Sequence, residues 1–488
     1  METFDLYING RFEPGSARFD TINPASEASW ASVAEAREAD VDRAVEAAWQ
    51  AFHSAEWRNL TAGARGKLLH KLADLIEKNA PELARLETLD SGKIIRETRA
   101  QIAYVAEYYR YYAGLADKME GHTLSIDKAD METWVRREPV GVVAAVIPWN
   151  SQLFLSAVKI GPAIAAGCTL VVKASEAAPA PLLALARLID EAGFPPGVCN
   201  VITGFADRCA AVLTRHPKVD HIAFTGGAET ARHIIRNSAE NLARTSLELG
   251  GKSPFIVFDD ADPESAANAQ VAAIFSASGQ SCVAGSRLLV AESIKDAFLE
   301  RLLAKVRDIV IGCPQQPETQ FGPLCTARQK ALIEEVVARS LEQGARRLTH
   351  HQKFDGPGYY YPPTILDCSG CPQAESVTRE LFGPVLSVLS FRDEAEAIML
   401  ANNSAYGLAA GVFTQNLTRA HRVTRQLRAG VVWLNTYRAV SPMAPFGGFG
   451  HSGFGREGGI DAALEYTTTK TVWLRTSDTP IDDPFVMR

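Results

Sequence analysis

Val142-Val143-Ala144-Ala145-Val146-Ile147, closed by Pro148-Trp149-Asn150, is an unbroken apolar run of strand length. It lacks polar alternation, as expected of a strand covered on both faces. Comparable runs follow at Thr169-Leu170-Val171-Val172, at Cys199-Asn200-Val201-Ile202 before Gly204, and at His221-Ile222-Ala223-Phe224 before Thr225-Gly226-Gly227. Helical sequence separates them, as at Leu182 to Ala192. Strands alternating with helices in this rhythm predict an α/β fold with a parallel, doubly wound sheet. Such sheets bind ligands beyond the carboxyl ends of their strands. The residues directly after each strand are therefore the first candidates for function.

Working outward, the first fifty residues read as a β-hairpin region followed by helix around Asp40 to Phe52. Apolar residues recur at helical spacing between Ala64 and Leu89, and Ile102 to Ala116 continues in that style with several tyrosines. A tyrosine stripe on a helix reads as packing. Downstream of Gly250 a second α/β segment begins. Its predicted strands are Pro254 to Phe258, Ser286 to Val290, Val385 to Phe391, Ala409 to Phe413 and Gly430 to Leu434. Its predicted helices are Ile294 to Ile309 and Thr326 to Gln343. A chain of 488 residues exceeds one hydrophobic core, and two α/β domains is the reading. The last strand, Thr467 to Arg475, has the composition of one that pairs with another element.

A net charge of −7 without any basic run argues against nucleic acid or an anionic membrane as partner. The most apolar region, Val140 to Val172, is broken by Pro148, Asn150, Lys159 and Pro162, so no membrane span is expected. Met1 to Arg11 has no basic segment followed by an apolar stretch, so no secretory signal is expected. Eight scattered cysteines form no disulfide framework and fit reduced thiols in the cytoplasm. Cys368 and Cys371 make a lone CxxC with no second pair or nearby histidine to complete a metal set, and no metal is expected.

Four strand ends carry polar groups. Thr225-Gly226-Gly227 leads into a helix, where free N–H groups and the helix dipole attract phosphate. Gly448-Phe449-Gly450-His451-Ser452-Gly453 spells a dinucleotide fingerprint, but it follows Ala444-Pro445-Phe446 and lacks the strand such a fingerprint needs. It reads as a flexible glycine loop folding over something. Glu248-Leu249-Gly250-Gly251-Lys252 puts a carboxylate before a tight turn at the junction of the two α/β segments. Cys282, in Gly279-Gln280-Ser281-Cys282, is flanked by small residues that would let a substrate and a planar cofactor approach from two sides. A lone cysteine is ordinarily core packing.

Taken together, Pro148-Trp149-Asn150, Lys173-Ala174-Ser175-Glu176, Phe224-Thr225-Gly226-Gly227, Glu248-Leu249-Gly250-Gly251-Lys252, Gly279-Gln280-Ser281-Cys282, Glu380-Leu381-Phe382-Gly383-Pro384 and the stretch from Pro445 to Glu457 resemble the aldehyde dehydrogenase superfamily. They stand in its order and spacing, nearly end to end. The resemblance implies two doubly wound α/β domains plus a small β oligomerisation element. Residues 1–120 and 140–249 would form the NAD-binding domain, 250–450 the catalytic domain, and 121–139 with 465–488 the oligomerisation element of a homodimer or homotetramer.

It further implies that Cys282 attacks an aldehyde as thiolate, that Asn150 and the cysteine's own N–H hold the oxyanion, and that Glu248 activates water to hydrolyse the thioester. Cofactor contacts would come from Ile147, Trp149, Lys173, Ser175, Glu176, Gly226, Gly227, Leu249, Glu380 and Phe382. Glu176 favours NAD by repelling a 2′-phosphate, while Lys173 and Ser175 leave NADP possible. Gly227 stands where relatives often carry a serine. Ser151-Gln152 replaces their aromatic residue and proline, predicting a roomier, partly polar pocket, with Phe154, Ser281, Val283 and the loop Tyr437 to Ala444 as further lining. Two alternatives are a coenzyme A-acylating member, which typically lacks the glutamate at 248, and a non-catalytic binding protein on the same scaffold.

Overall fold

The computed structural model describes residues 1–350, 354 and 356–486. Its largest sheet has eight strands. In spatial order these are Gly453–Phe454, Arg244–Leu249, His221–Gly226, Val142–Val146, Thr169–Ala174, Cys199–Thr203, Leu6–Ile8 and Arg11–Glu13. The five central strands run parallel, and the pairings at both margins are antiparallel. The expected double winding is visible in side-chain destinations. Val143, Ala145, Leu170 and Val172 enter one core, and Val142, Ala144, Val171 and Ile222 enter another on the opposite face. Helices therefore cover both faces, which is why the strands read as continuous apolar runs.

The chain moves outward from Val142–Val146 through Thr169–Ala174 to Cys199–Thr203, then returns to lay His221–Gly226 on the other side of Val142–Val146. The crevice opened by that reversal lies beyond Val146 and Gly226, at Pro148-Trp149-Asn150 and Gly227.

A second sheet of seven strands follows, in the order Arg346–Arg347, Thr364–Asp367, Val385–Phe391, Arg287–Ala291, Pro254–Val257, Ala409–Phe413 and Val431–Leu434. It is parallel except for Arg346–Arg347. Alternate residues again feed two cores. Its own reversal lies between Pro254–Val257 and Ala409–Phe413. The carboxyl ends there are filled by protein: Asp260 accepts hydrogen bonds from Thr414, Asn416 and Arg419. The expectation that function sits after each strand therefore does not carry over to this sheet.

A third sheet pairs Thr467–Arg475 with Met131–Pro139 along nine residues, and His122–Leu124 adds to the far side. Residues 487 and 488 of the expected oligomerisation element, and 351–353 and 355 of the expected catalytic domain, lie outside the described residues. Among the described residues no helix is long and apolar enough to cross a membrane.

Two expectations are corrected. The tyrosine-bearing helix Ile95–Leu115 does bury Tyr108, Tyr109 and Tyr112 in the core, but Tyr104 and Tyr108 also line the cleft between the sheets, so the stripe is not packing alone. The glycine loop at 448–453 is not a loose flap. Gly453–Phe454 adds a short strand beside Arg244–Leu249, and the Ser452 hydroxyl donates to the Gly250 carbonyl at 2.7 Å while accepting from the Gly407 N–H at 3.0 Å. It ties the two sheets together.

Candidate active site

A cleft of about 690 Å³ separates the carboxyl ends of the first sheet from the amino ends of the second. Trp149, Asn150, Gly226, Gly227, Glu248 and Leu249 reach it from the first side, and Cys282, Glu380 and Phe382 from the second. Ile147, Lys173, Ser175 and Glu176 stand outside it. The Ile147 side chain is in the core and its N–H donates to the Lys173 carbonyl at 3.0 Å. Lys173, near the end of the neighbouring strand, and Glu176, just past it, pair with each other at 2.7 Å.

Cys282 is held by a tightly bent segment. Ala277, Ser278 and Gly279 all have positive φ, at 52°, 53° and 74°. Such geometry costs a non-glycine residue on the order of 1–3 kcal/mol, so neighbours must fix it. The Ala277 N–H donates to both oxygens of Glu97, the Ser278 hydroxyl donates to the Gly322 carbonyl, and the Gln280 side-chain oxygen accepts from the Cys325 N–H. Glycine is required at 279, since a Cβ there would stand 2.3 Å from the Gly383 carbonyl carbon. One N–H of the Asn150 amide donates to the Gln280 carbonyl at 3.1 Å, and its second N–H has no partner among the described residues. The Cys282 backbone N–H also makes no hydrogen bond among the described residues.

The surroundings do not favour a thiolate: burial pushes the Cys282 thiol up to about 12, and the carboxylates of Glu380 and Glu248 add to the rise. Glu248 is 3% exposed, and neither of its oxygens has a hydrogen-bond partner among the described residues. Burial, then the charge of Glu457, raises its pKa well above the ordinary carboxylate range, while Lys159 and Arg456 oppose the rise. Gly447 leaves room for this carboxylate, because a Cβ there would sit 2.6 Å from its Oε1.

Sequence reasoning missed Lys159 and Glu457. Lys159, 1% exposed, projects from the apolar helix Gln152–Ala166 and bonds both Glu457 and the Thr225 hydroxyl, the latter at 2.6 Å. A lysine inside an otherwise apolar helix was the available signal, because a buried charge needs a partner. Lys93 and Gln101, also missed, line the cleft, as does Arg438 from the loop expected there.

The residues present fit a dinucleotide. Gly227 begins the fourteen-residue helix Ala228–Asn241, and a Cβ on it would meet nothing within 4 Å, so the approach to the helix N–H groups is open. Trp149 and Phe382 meet edge to face at 5.3 Å, one from each sheet, and form an aromatic wall. Glu380 uses one oxygen to accept from the Gly251 N–H at 3.0 Å, and its other oxygen remains available to a ribose hydroxyl. Cys368 and Cys371 are buried in the core of the second α/β unit.

A sequence profile described as the aldehyde dehydrogenase family matches residues 12–472. The chain is 70% identical, over the full length of both, to the (Z)-2-((N-methylformamido)methylene)-5-hydroxybutyrolactone dehydrogenase of Acinetobacter baylyi. It is 44% identical to aldehyde dehydrogenase 1 of Tanacetum cinerariifolium, covering 96% of this chain and 94% of that one. The NAD⁺ complex of an aldehyde dehydrogenase from Bacillus cereus superposes with a TM-score of 0.96 at 41% identity, covering 98% of this chain and 97% of that one.

Proposed function

The chain belongs to the aldehyde dehydrogenase family, and from that premise we propose that Cys282, Asn150 and Glu248 divide the chemistry of its NAD-dependent aldehyde oxidation. The observation that carries this reading is their convergence on one cleft, with Asn150 bonded two residues from the cysteine. Cys282 loses its thiol proton to solvent and adds its sulfur to the aldehyde carbon, and the carbonyl oxygen becomes an oxyanion. The free N–H of Asn150 and the backbone N–H of Cys282 donate to it. One such donor contributes on the order of 3 kcal/mol, or 10²–10³ in rate. Bound NAD supplies the acceptor for the hydride leaving that carbon. Glu248 then takes a proton from water, whose oxygen attacks the resulting thioester carbon; the acid departs and the thiol is restored. The Lys159–Glu457 pair lies near enough to Glu248 to influence its ionisation.

Several further assignments belong to the same reading. Residues 1–120 and 140–249, with the returning strand at 453–454, form the cofactor unit; 250–450 form the catalytic unit. Glu176 makes NAD the preferred dinucleotide over NADP. The sheet containing Thr467–Arg475 joins subunits into a dimer or tetramer. Eight free cysteines support a cytoplasmic location.

The Acinetobacter relative suggests the substrate. A 5-hydroxybutyrolactone is the ring-closed form of a 4-oxo acid. Opening breaks the bond between C5 and the ring oxygen: the C5 hydroxyl loses its proton to become the aldehyde carbonyl, and the ring oxygen leaves as carboxylate. We take an open 4-oxo acid of this class as the substrate and the matching dicarboxylate as product. A polar wall beyond Cys282, with Ser151 bonded to Lys93 and Gln101, supports a polar substrate.

Replacing Cys282 by Ala should abolish aldehyde-dependent NADH formation while leaving NAD binding intact. Near-parental turnover would end the reading. The product should be free acid whether or not coenzyme A is supplied; an acyl-coenzyme A would transfer the protein to the acylating class.

A further inference from the structure

Six charged side chains line the cleft: Lys93, Glu97, Glu248, Glu380, Arg438 and Glu457. All but one are accounted for. Lys93 is paired with Glu87 at 3.2 Å and also donates to Gln101 and Ser151. Glu97 accepts the Ala277 N–H, Glu380 accepts the Gly251 N–H, and Glu457 pairs with Lys159. Glu248 is assigned above to water activation. Arg438 has no carboxylate within ion-pair distance among the described residues.

The arginine is nevertheless placed with care. Its backbone adopts the left-handed φ of 61°, unusual for a side chain of its size. Its Nη1 donates to the carbonyls of Ala272, at 3.0 Å, and Ser276, at 3.5 Å, which anchors one corner of the guanidinium beside the catalytic segment. Nε and Nη2 make no hydrogen bond among the described residues. That free edge is the planar, two-pronged donor that matches a carboxylate. Its charge is also felt at the Cys282 sulfur. The two functional ends of a 4-oxo acid stand roughly 4 Å apart, three carbon–carbon bonds. Arg438 and Cys282 line the same cleft.

We propose that Arg438 is the carboxylate anchor of the substrate site, holding the charged end of an oxo acid with Nε and Nη2 while its aldehyde meets Cys282. The anchor selects the open, anionic form of the substrate over the neutral ring. This rests on the assignment of Cys282 as nucleophile, and the test separates the two.

4-Oxobutanoate and butanal, of equal chain length and differing in charge, are compared as substrates of the full-length enzyme and its Arg438→Gln and Arg438→Lys variants. The parent should favour the anion by at least about tenfold in kcat/KM. Arg438→Gln should lose on the order of 10- to 100-fold on 4-oxobutanoate, chiefly through KM, as expected for losing charged hydrogen bonds. Butanal turnover and the KM for NAD should stay within about twofold, and Arg438→Lys should recover part of the anion preference. A parent indifferent to charge, or an Arg438→Gln variant that loses both substrates equally, overturns the anchor. Failure of the parent to oxidise either aldehyde, or full activity in Cys282→Ala, would instead strike the underlying assignment.

Discussion

Burial and the carboxylates of Glu380 and Glu248 push the Cys282 thiol up to about 12, so thiolate is a small minority at pH 7. Only that fraction is nucleophilic. The sequence made Cys282 a candidate through its small, glycine-rich neighbours, but nothing local reveals that Glu380 and Glu248, far away in the chain, add negative charge beside it. The consequence is measurable without substrate. Alkylation of Cys282 by iodoacetamide in the cofactor-free protein should climb about tenfold per pH unit from 7 to 10; a plateau below pH 9 would mean a thiolate already held at neutral pH. Glu248 behaves in the same sense. Burial favours its acid form, so the base required for hydrolysis appears only as pH rises through its elevated pKa. The Lys159 charge lowers that pKa, so Lys159→Met should move the rising limb of the hydrolysis rate to higher pH. Glu457→Gln removes a raising charge and should move it the other way. Pre-steady-state measurement of thioester hydrolysis against pH reads both, and an unmoved limb would detach the pair from Glu248.

Among the elements, strands buried on both faces declare themselves by unbroken apolar runs, and every such run in the first sheet lies where its composition puts it. The motifs after Val146 and Gly226 were legible for the same reason, since sheet topology fixes where ligands bind. The second sheet was less legible. Its contributions precede their strands: Gly251 before Pro254–Val257, Cys282 before Arg287–Ala291, Glu380 before Val385–Phe391. Which end of that sheet faces the cleft depends on how the two units dock, and no local pattern encodes docking. The bend at 277–279 shows how tightly that docking constrains single residues. Gly279→Ala would drive a methyl group into the Gly383–Pro384 backbone and impose an unfavourable φ as well. It is expected to cost a few kcal/mol of stability, or to displace Cys282 and reduce kcat by two orders of magnitude or more. Thermal unfolding and steady-state rates together test this; parental values in both would show that the segment yields.

On the scale of the whole molecule, the third sheet stands apart from the chemistry. Thr467–Arg475 pairs with Met131–Pro139 on one side, and no strand lies along its other edge among the described residues. Trp473 on this strand is 55% exposed and Leu474 is 46% exposed. Long exposed edges with apolar side chains invite pairing with another chain unless blunted by charge or proline. Lys470 is on this strand, but it already pairs with Glu138, which leaves the edge poorly guarded. A second copy of the chain can satisfy such an edge and cover its apolar residues. Because this strand lies away from the cleft, disrupting the contact should separate assembly from chemistry. Trp473→Asp combined with Leu474→Asp is therefore expected to lower the molecular mass in sedimentation equilibrium from a multiple of the chain toward a single chain, while NAD still binds. If the parent itself sediments as one chain, or the double variant keeps the parental mass, the edge is not where subunits meet.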